Sequence, residues 1–377
     1  MLFEGIDWLN PFEQYRVMRD RSPVYYDSYD GSWNLFLYED VARALSEHQT
    51  FSSQLNEAAE MPLSQSLIQL DPPRHTRLRA LVSKPFSPAW IGKRADKIRE
   101  ICTSLLESVK SDQFDFVRNF SYPLPVMVIA DIIGIPRDHM ERFKEWSDAV
   151  VTGQAFMGQR DYMSEMVTYF SEMVRERQRD PRDDLISMLI SSEVDGKPPL
   201  SPQELMGFLI LLLIAGNETT TNLISNAVYS MNENPGTYDM VVSDRSLIPG
   251  MLEETLRYRS PVQSMFRRTK ADVTVRGVTI PANSYVTAWI GSANHDERVF
   301  EEPEKFNIER KENRHIAFGN GIHYCWVPPL ARLEAKIAFE EITERFREIR
   351  VGNIDSASMV SSTIVYGFKS LPVSVVR

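Results

Sequence analysis

The sequence predicts a mainly helical protein with minor β-sheets. The clearest helix begins at Ser201, where an N-cap serine is followed by a proline and, at the third helical position, a glutamate. Apolar residues then continue on nearly every side to Ile214, which is typical of a helix inside a large protein. Residues 98–109 place apolar side chains on one helical face, and residues 163–179 are predicted to form another helix.

The predicted strands lie near the N-terminus and after residue 270. Asp30 and Gly31 separate two short β-type segments, which is typical of a hairpin turn. The predicted strands are residues 24–26, 33–36, an alternating pair within 272–280, 285–290, and a last hairpin of 363–366 with 373–376. No repeat or Gly/Ser-rich linker divides the chain, so residues 1–377 are predicted to form one domain, a helix-rich body with a small β-rich lobe.

The composition restricts the class of protein. With 43% hydrophobic and 25% charged residues among 377, the chain is typical of a large globular protein. Its net charge of −10 argues against nucleic-acid binding. The two cysteines, Cys102 and Cys325, exclude a disulfide framework and predict a cytoplasmic protein. The longest apolar run, residues 208–215, is shorter than the about 20 residues that span a bilayer, so no membrane insertion is expected.

A glycine-rich segment precedes the second cysteine. Gly319 and Gly321 flank one position just before His323 and Cys325, and such a loop lets the backbone approach a flat ligand closely. A lone cysteine in this loop suits a thiolate ligand to haem iron. A glycine-rich surface turn with a buried, inert cysteine explains the spacing equally well.

Polar residues interrupt the apolar helix at residues 215–221. Glu218 and Thr219 place a carboxylate beside a hydroxyl where the helix is otherwise apolar, and buried polar groups must be satisfied or functional. An acid next to an alcohol could relay protons to bound oxygen. A solvated break in the helix is the alternative.

Two charged motifs complete the set. Glu254 and Arg257 share a helix face at i, i+3, which by itself indicates only an ordinary exposed ion pair. His75 and Arg79 share a face at i, i+4 and could bind an anionic group, or could form a basic, solvated helix face.

In order and spacing, these segments together resemble the cytochrome P450 superfamily, and the resemblance covers nearly the whole chain. The matching positions are Phe318, Gly321, His323 and Cys325; Ala215, Gly216, Glu218, Thr219 and Thr220; Glu254 and Arg257; and Arg310 in a meander-like loop. The stretches around residues 211–226 and 328–335 are typical of the soluble bacterial and archaeal type. The resemblance implies the cytochrome P450 fold, with haem b between the long central helix and the cysteine loop with its following helix.

The resemblance also implies roles for individual residues. Cys325 would be the proximal thiolate ligand of the iron, and Glu218 and Thr219 would deliver protons to dioxygen. The residues that would contact the haem or its propionates are His75, Arg79, Arg267, Phe318, Gly319 and His323. Glu254, Arg257 and Arg310 would be structural. The substrate pocket would draw on Leu67, Leu212, Ala215, Val262, Met265, Ile364 and Val365, which are apolar.

The segment after Cys325 departs from the family pattern. The family has a glycine where this chain has Val327, and Trp326 and Pro328 replace residues that are commonly smaller or more flexible. A β-branched residue cannot easily take a positive φ and adds bulk under the haem. We therefore expect changes in haem affinity, redox potential and electron delivery, without a change of fold.

The function that these features imply is a haem-thiolate monooxygenase that inserts one atom of dioxygen into a lipophilic small molecule, such as a fatty acid, a terpenoid or a steroid. A monomer served by a separate ferredoxin-type partner and reductase is expected, with Arg74, Arg77, Lys84 and Arg332 as a basic patch for that partner or as ordinary surface charge. The alternatives are a peroxide-driven oxygenase and a haem protein whose catalysis is impaired or redirected by residues 326–328.

Overall fold

The computed structural model describes residues 6–55, 66–83, 85–151, 160–193, 199–360 and 362–377. Its α-helices are α1 (Phe12–Arg21), α2 (Tyr38–Ser46), α3 (Arg74–Ser83), α4 (Pro88–Gly92), α5 (Ala95–Ser108), α6 (Pro123–Ile133), α7 (Met140–Val151), α8 (Tyr162–Arg179), α9 (Leu185–Ile190), α10 (Pro202–Glu233), α11 (Thr237–Ser243), α12 (Ile248–Tyr258), α13 (Ile290–Ala293) and α14 (Pro328–Arg345). Its strands are β1 (Val24–Asp27), β2 (Ser32–Leu35), β3 (Phe51–Ser52), β4 (Gln113–Asp115), β5 (Ser264–Thr269), β6 (Val273–Val275), β7 (Val278–Ile280), β8 (Tyr285–Trp289), β9 (Glu348–Val351) and β10 (Pro372–Val376). The predicted mainly helical class with minor sheets is confirmed.

Helix α10 is the central helix that the sequence predicts. The Ser201 hydroxyl accepts the N–H of Glu204, and the Glu204 carboxylate accepts the N–H of Ser201, so the predicted helix start is a complete capping box. The helix packs against α6, α7, α12 and α14. It is long and apolar enough to cross a bilayer, but 72% of its most apolar window is buried inside the protein, as expected of a core helix.

The polar segment of α10 remains helical. Residues 215–221 continue the helix without interruption, so the alternative of a solvated break is wrong. Gly216 has a packing reason, because a Cβ atom there would lie 2.9 Å from Cδ1 of Ile129 in α6. The glycine therefore lets α6 and α10 approach closely at the level of Glu218 and Thr219.

The β-structure forms three small sheets. The largest has the strand order β1-β2-β8-β5-β3, in which β2 and β8 are parallel and the other pairs are antiparallel. The predicted hairpin turn at Asp30 and Gly31 joins β1 to β2, and Gly31 has a φ of 73° that favours glycine. The predicted pair within residues 272–280 is the two-stranded sheet of β6 and β7.

The predicted last hairpin is wrong. Strand β10 pairs with β9 and β4, two segments that are distant in sequence. Residues 363–366 instead lie along residues 261–264: Val365 forms an isolated bridge with Val262, and the N–H of Gln263 donates to the carbonyl of Ile364 at 2.7 Å. The backbone donors and acceptors of both segments are satisfied by remote partners, which local alternation cannot reveal.

The ion pair of α12 is buried. Glu254 and Arg257 are both fully inaccessible to solvent, and two hydrogen bonds of 2.7 and 2.9 Å join them. Arg310 also donates to the Glu254 carboxylate at 3.0 Å. The remaining donors of Arg257 bind the backbone carbonyls of Asn294, Pro303 and Lys305. The alternative of an ordinary exposed pair is therefore wrong, and this network ties α12 to the loop after α13.

Candidate functional site

One cavity lies between the middle of α10 and the segment formed by the cysteine loop and α14. The α10 side contributes Ala215, Gly216, Thr219, Thr220 and Leu223. The opposite side contributes Ala317, Phe318, Gly319, Asn320, His323, Cys325, Trp326, Val327, Leu330, Ala331 and Glu334. The acid–alcohol segment of α10 and the cysteine loop, about a hundred residues apart in sequence, therefore meet at one space.

Local backbone geometry sets the conformation of the cysteine loop. Gly319 and Gly321 have φ values of 81° and 71°, which favour glycine, and the N–H of Cys325 donates to the carbonyl of Phe318 at 2.8 Å. A Cβ atom on Gly321 would lie 2.5 Å from Cα of Ser46, so this glycine also lets the loop contact α2. The turn holds the thiol of Cys325 against the interior cavity.

The electrostatics at the thiol are mixed. Burial raises the pKa of the Cys325 thiol, while the N–H of Val327 and the charges of Arg79 and Arg332 act in the opposite direction. Cys102 differs because it is fully buried in α5 among apolar residues and does not line the cavity. The pKa of its thiol is raised mainly by burial. Only Cys325 therefore combines access to a cavity with nearby donors and positive charge.

Val327 is accommodated without the strain that the sequence predicted. It caps α14 with a φ of −119° and a ψ of 29°, a conformation open to a β-branched residue. Pro328 and Pro329 then occupy the first turn of the helix, where a missing N–H is tolerated. The backbone at residue 327 therefore does not require a positive φ, and the expected difficulty of placing Val327 there on that ground is wrong.

The acid and the alcohol of α10 have different surroundings. Thr219 lines the cavity, and its hydroxyl donates to the carbonyl of Ala215 at 2.7 Å. Glu218 is not part of the lining, and burial raises the pKa of its carboxyl. The charge of Glu218 also contributes to raising the pKa of Tyr122, after the larger effects of burial and Asp148. The carboxyl is thus buried close enough to Tyr122, which precedes α6, to influence its pKa, and it lies next to the alcohol but not in the cavity wall.

A cluster of buried cationic and donor groups lies at one end of the cavity. The rings of His75 and His323 are 4.3 Å apart, and neither nitrogen of His75 has a hydrogen-bond partner. Burial lowers the pKa of His75 to about 4, that of His323 to about 3 and that of Arg267 to about 10. Arg79 completes the cluster, and its guanidinium donates to the carbonyl of Cys325 at 3.3 Å.

Buried donors without acceptors are costly, so this cluster fits an anionic partner. An anionic group would satisfy the free nitrogens and favour the charged forms of the side chains. A flat macrocycle with carboxylates at one edge matches the cavity: carboxylate partners at one end, a thiol on one face and an apolar wall on the other. Haem has these features, and the residues present therefore fit it.

The predicted pocket residues divide into two groups. Leu67, Ala215, Val262 and Met265 line the cavity. Leu212, Ile364 and Val365 do not: Leu212 is buried in the core, Ile364 is 41% exposed, and Val365 is used in the bridge to Val262. The sequence reasoning missed Leu45, Ile129, Thr220, Leu223, Leu256, Pro261, Ile290, Ala317, Asn320, Leu330, Ala331 and Glu334. Helical spacing from Thr219 could have indicated Leu223, and Ala317 and Asn320 directly flank the predicted Phe318 and Gly319. Leu45, Ile129, Leu256, Pro261 and Ile290 depend on packing between distant segments.

Comparisons with known proteins agree with this geometry. The sequence profile of the family described as Cytochrome P450 matches residues 150–351. The chain is 37% identical to the erythromycin C-12 hydroxylase of Saccharopolyspora erythraea, over 98% of this chain and 94% of that protein. The chain belongs to the cytochrome P450 family.

Solved cytochrome P450 structures match the whole fold. Substrate-free CYP109E1 from Bacillus megaterium has a TM-score of 0.93 and 41% identity, covering 97% of this chain and 98% of that chain. The same enzyme in complex with testosterone has a TM-score of 0.90 and 42% identity, covering 97% and 99%. The chain is therefore a haem enzyme of the monooxygenase class, a family that generally receives electrons from redox partners.

The arginines of the predicted basic patch of this P450 are partly paired with carboxylates. Arg77 forms a 2.9 Å salt bridge with Glu204, which Arg74 also approaches at 3.6 Å. Arg332 forms two hydrogen bonds of 2.6 and 2.8 Å with Glu253. Burial alone would raise the pKa of Glu253, but hydrogen bonds from Arg332 and His315 lower it to about 2. The three arginines face two carboxylates, so part of their positive charge remains, and Lys84 lies outside the described residues.

Glu334 is a buried acid in the cavity wall that the sequence reasoning missed. It is 1% exposed in α14, its Oε2 atom has no hydrogen-bond partner, and burial raises its pKa well above the ordinary value. A buried glutamate without a cationic partner is most stable in the protonated form. The sequence carried no local signal for this burial, since Arg332 and Lys336 flank Glu334 in the helix.

We expect the substitution Glu334→Gln to remove a pH dependence of stability. Since the folded-state pKa is raised, the contribution of Glu334 is complete below the ordinary glutamate pKa of about 4.3 and is lost as pH rises through the folded-state value. Over that window the variant should gain about 1.4 kcal/mol per pH unit relative to the parent. Urea unfolding of the ferric holoenzyme at a series of pH values measures this, with exposed Glu344→Gln in the same helix as control. If the free energy of unfolding changes equally with pH in the parent and the variant, the pKa of Glu334 is not raised in the folded protein.

Proposed function

We propose that this protein is a haem b monooxygenase that hydroxylates or epoxidises lipophilic small molecules, with Cys325 as the thiolate ligand. The observation that carries the proposal is the placement of Cys325 and Thr219 at the same cavity, on its two opposite sides. Bound haem would supply the activation of dioxygen and the transfer of one oxygen atom to the substrate, with the second atom leaving as water. The thiolate would donate electron density to the iron and so favour O–O cleavage.

The buried cationic cluster would hold the haem by its propionates. Arg79 and Arg267 would form charge-assisted hydrogen bonds with the carboxylates, and His75 and His323 would donate ring N–H groups to them. Phe318 and Gly319 belong to the loop beside the thiol, where small bulk and an aromatic face suit contact with a macrocycle. Glu254, Arg257 and Arg310 would act only structurally.

Glu218 and Thr219 would control proton delivery. The Thr219 hydroxyl lies in the cavity wall and would hold a proton at the cavity, while the buried carboxyl of Glu218, with its raised pKa, would pass protons toward that hydroxyl. The pair would therefore connect the buried Glu218 carboxyl with the cavity, close to Gly216, where a Cβ atom would lie 2.9 Å from Ile129 of α6.

We expect Thr219→Ala to uncouple oxygen use from product formation. Positioned proton donors contribute roughly 10²–10⁴-fold to a step, so product formation should fall by about 10²-fold while dioxygen consumption continues and ends as hydrogen peroxide. The measurement is the ratio of product to dioxygen and peroxide in the reconstituted system. Thr219→Ser keeps the hydroxyl and should retain most of the coupling. Unchanged coupling in the alanine variant would exclude Thr219 from proton delivery.

The substrate class is proposed to be lipophilic, with steroids as the first candidates. The cavity wall away from the cysteine loop is largely apolar, with Leu67, Val262 and Met265 among its residues. The similar CYP109E1 was solved with testosterone, and another relative is named as a hydroxylase of erythromycin. We also propose a cytoplasmic monomer served by a ferredoxin-type protein and its reductase.

Two measurements test the proposed function. Steroids, terpenoids and fatty acids are screened for the spin-state shift of the ferric holoenzyme, and compounds that bind are then turned over with ferredoxin, reductase and isotopically labelled dioxygen. The proposal expects one labelled oxygen atom in the product. A product that forms with labelled hydrogen peroxide, but not with labelled dioxygen, ferredoxin and reductase, would indicate a peroxide-driven oxygenase instead. The absence of any oxygenated product, with a normal thiolate spectrum, would indicate a haem protein without this catalysis.

A further inference from the structure

A hydroxyl and a carboxylate form a contact that reaches the protein surface beside α10. Tyr122, which precedes α6, donates its hydroxyl proton to the carboxylate of Asp148 in α7. Asp148 is exposed to solvent, and Tyr122 is half-buried. Helix α10 packs against both α6 and α7, so this contact lies where the surface and the central helix are separated by a single layer of side chains.

The residue before Asp148 connects this contact to the residue before Glu218. The hydroxyl of Ser147 accepts a hydrogen bond of 2.6 Å from the side-chain amide of Asn217, and both residues are fully buried. Asn217 directly precedes Glu218 in α10. Polar side chains therefore continue from the solvent to the acid of α10. We call Tyr122, Ser147, Asp148, Asn217 and Glu218 the polar seam.

The electrostatics of Tyr122 agree with this placement. Burial raises the pKa of its hydroxyl, Asp148 adds to that effect, and a hydrogen bond from Ser147 lowers the pKa. The charge of Glu218 also raises it, so the Glu218 carboxyl lies within electrostatic reach of the hydroxyl. Tyr122 is therefore neutral near pH 7, and a neutral hydroxyl can accept one proton while it donates another.

Two buried polar atoms of α10 lie beside the seam. Asn217 and Thr221 are one helical turn apart on the same face. Among the residues that the structure describes, neither the carbonyl oxygen of the Asn217 side chain nor the hydroxyl of Thr221 has a hydrogen-bond partner. Buried polar atoms of this kind usually bind ordered water, which can bridge groups that do not touch. Such a water would join Tyr122 to Glu218 without a direct hydrogen bond between them.

We propose that the polar seam is the route by which protons from solvent reach Glu218, with Tyr122 as the relay. A proton taken up by the Asp148 carboxylate moves to the oxygen of Tyr122, while the hydroxyl proton of Tyr122 moves through water to the carboxylate of Glu218. Tyr122 ends neutral, and Glu218 regains the proton that it gave to Thr219. The inference rests on the proposed function of Glu218 and Thr219. Tyr122 does not line the cavity, so it is a positioning residue that acts through Glu218.

Tyr122→Phe tests the proposal because it removes the hydroxyl and keeps the ring. The holoenzyme is turned over with ferredoxin, reductase and dioxygen, on the steroid, terpenoid or fatty acid that gives the largest spin-state shift. We expect product formation to fall about tenfold, less than for a direct proton donor because water partly replaces the hydroxyl. The ratio of the rates in H₂O and D₂O should rise, since proton delivery then limits turnover more strongly.

Hydrogen peroxide separates proton delivery from a structural role. Peroxide brings both protons with the oxidant, so Tyr122→Phe should keep the parent's rate of peroxide-driven product formation. Tyr229→Phe is the matched control, because Tyr229 also donates to a carboxylate, that of Glu233, at 2.9 Å further along α10. This control should change neither the dioxygen-driven rate nor the isotope ratio.

A second variant keeps the test decisive if Tyr122→Phe does not fold. Asp148→Asn removes the acid at the exposed end of the seam and should produce the same changes to a smaller extent. An unchanged dioxygen-driven rate and isotope ratio in the folded variants would overturn the proposal. So would an equal loss of the dioxygen-driven and peroxide-driven rates, which would indicate a structural role. Unchanged coupling in Thr219→Ala would instead overturn the proposed function.

Discussion

Replacing Cys325 by serine should abolish the thiolate-type absorption band of the reduced, carbon monoxide-bound holoenzyme and all monooxygenase activity. The thiol lies at the cavity, and the structure places no second cysteine there among the described residues, since Cys102 is fully buried in α5. A serine hydroxyl cannot replace the electron donation of a thiolate to the iron. The reduced carbon monoxide difference spectrum measures the change directly.

Cys102→Ala is the matched control for this substitution. It removes the other cysteine of the chain from an apolar environment, so it should lower stability slightly and leave the band and the activity intact. A thiolate-type band that persists in the Cys325→Ser variant would show that the assigned ligand is wrong. A band lost in both variants would point to a general failure of haem incorporation.

Breaking the buried ion pair of α12 should have the second largest effect. Arg257→Met leaves the carboxylate of Glu254 without its bidentate partner and removes the donor from three backbone carbonyls. Removing one partner of a buried pair typically costs about 3–5 kcal/mol, because the remaining charge stays desolvated. Arg310 still binds Glu254, which places the expected loss toward the lower end of that range. The shift of the urea unfolding midpoint of the ferric holoenzyme measures this cost.

An exposed pair provides the comparison for Arg257. Arg350 and Glu348 form a 2.6 Å salt bridge with side chains that are 74% and 45% exposed, and Arg350→Met should cost less than about 1 kcal/mol. Similar costs for the two substitutions would show that the Glu254–Arg257 pair does not stabilise the fold. Arg257→Lys keeps the charge but not the fork of donors, so it should recover only part of the loss.

Short-range patterns explain what the sequence predicted correctly. The capping residues before α10, the glycine turn at Gly31 and the apolar spacing of α5 are interactions between residues a few positions apart. The glycines before Cys325 belong to the same class, because a positive φ is a property of the residue itself. These signals were sufficient for the mainly helical class, for the position of the central helix and for the loop that presents the thiol.

Predictions that depended on distant contacts were less successful. Val365 was assigned to a hairpin with β10, but its backbone pairs with Val262 instead. Leu212 was assigned to the pocket, but its position on α10 faces the core rather than the cavity. The alternation around Val365 and the apolar character of Leu212 were predicted correctly. The role of Val365 is decided by Val262, about a hundred residues away, and the role of Leu212 by the helices that pack against its side of α10.

The sequence by itself determined the helical class, the family resemblance and the residue types available for chemistry, because those depend on local spacing and on which side chains exist. Only the tertiary structure decided which of these residues share the cavity, that Glu254 and Arg257 are buried, that Arg77 pairs with Glu204, and that Glu334 lies in the cavity wall. Burial, ion pairing and pKa shifts depend on desolvation by segments remote in sequence, and no local pattern encodes which segments those will be.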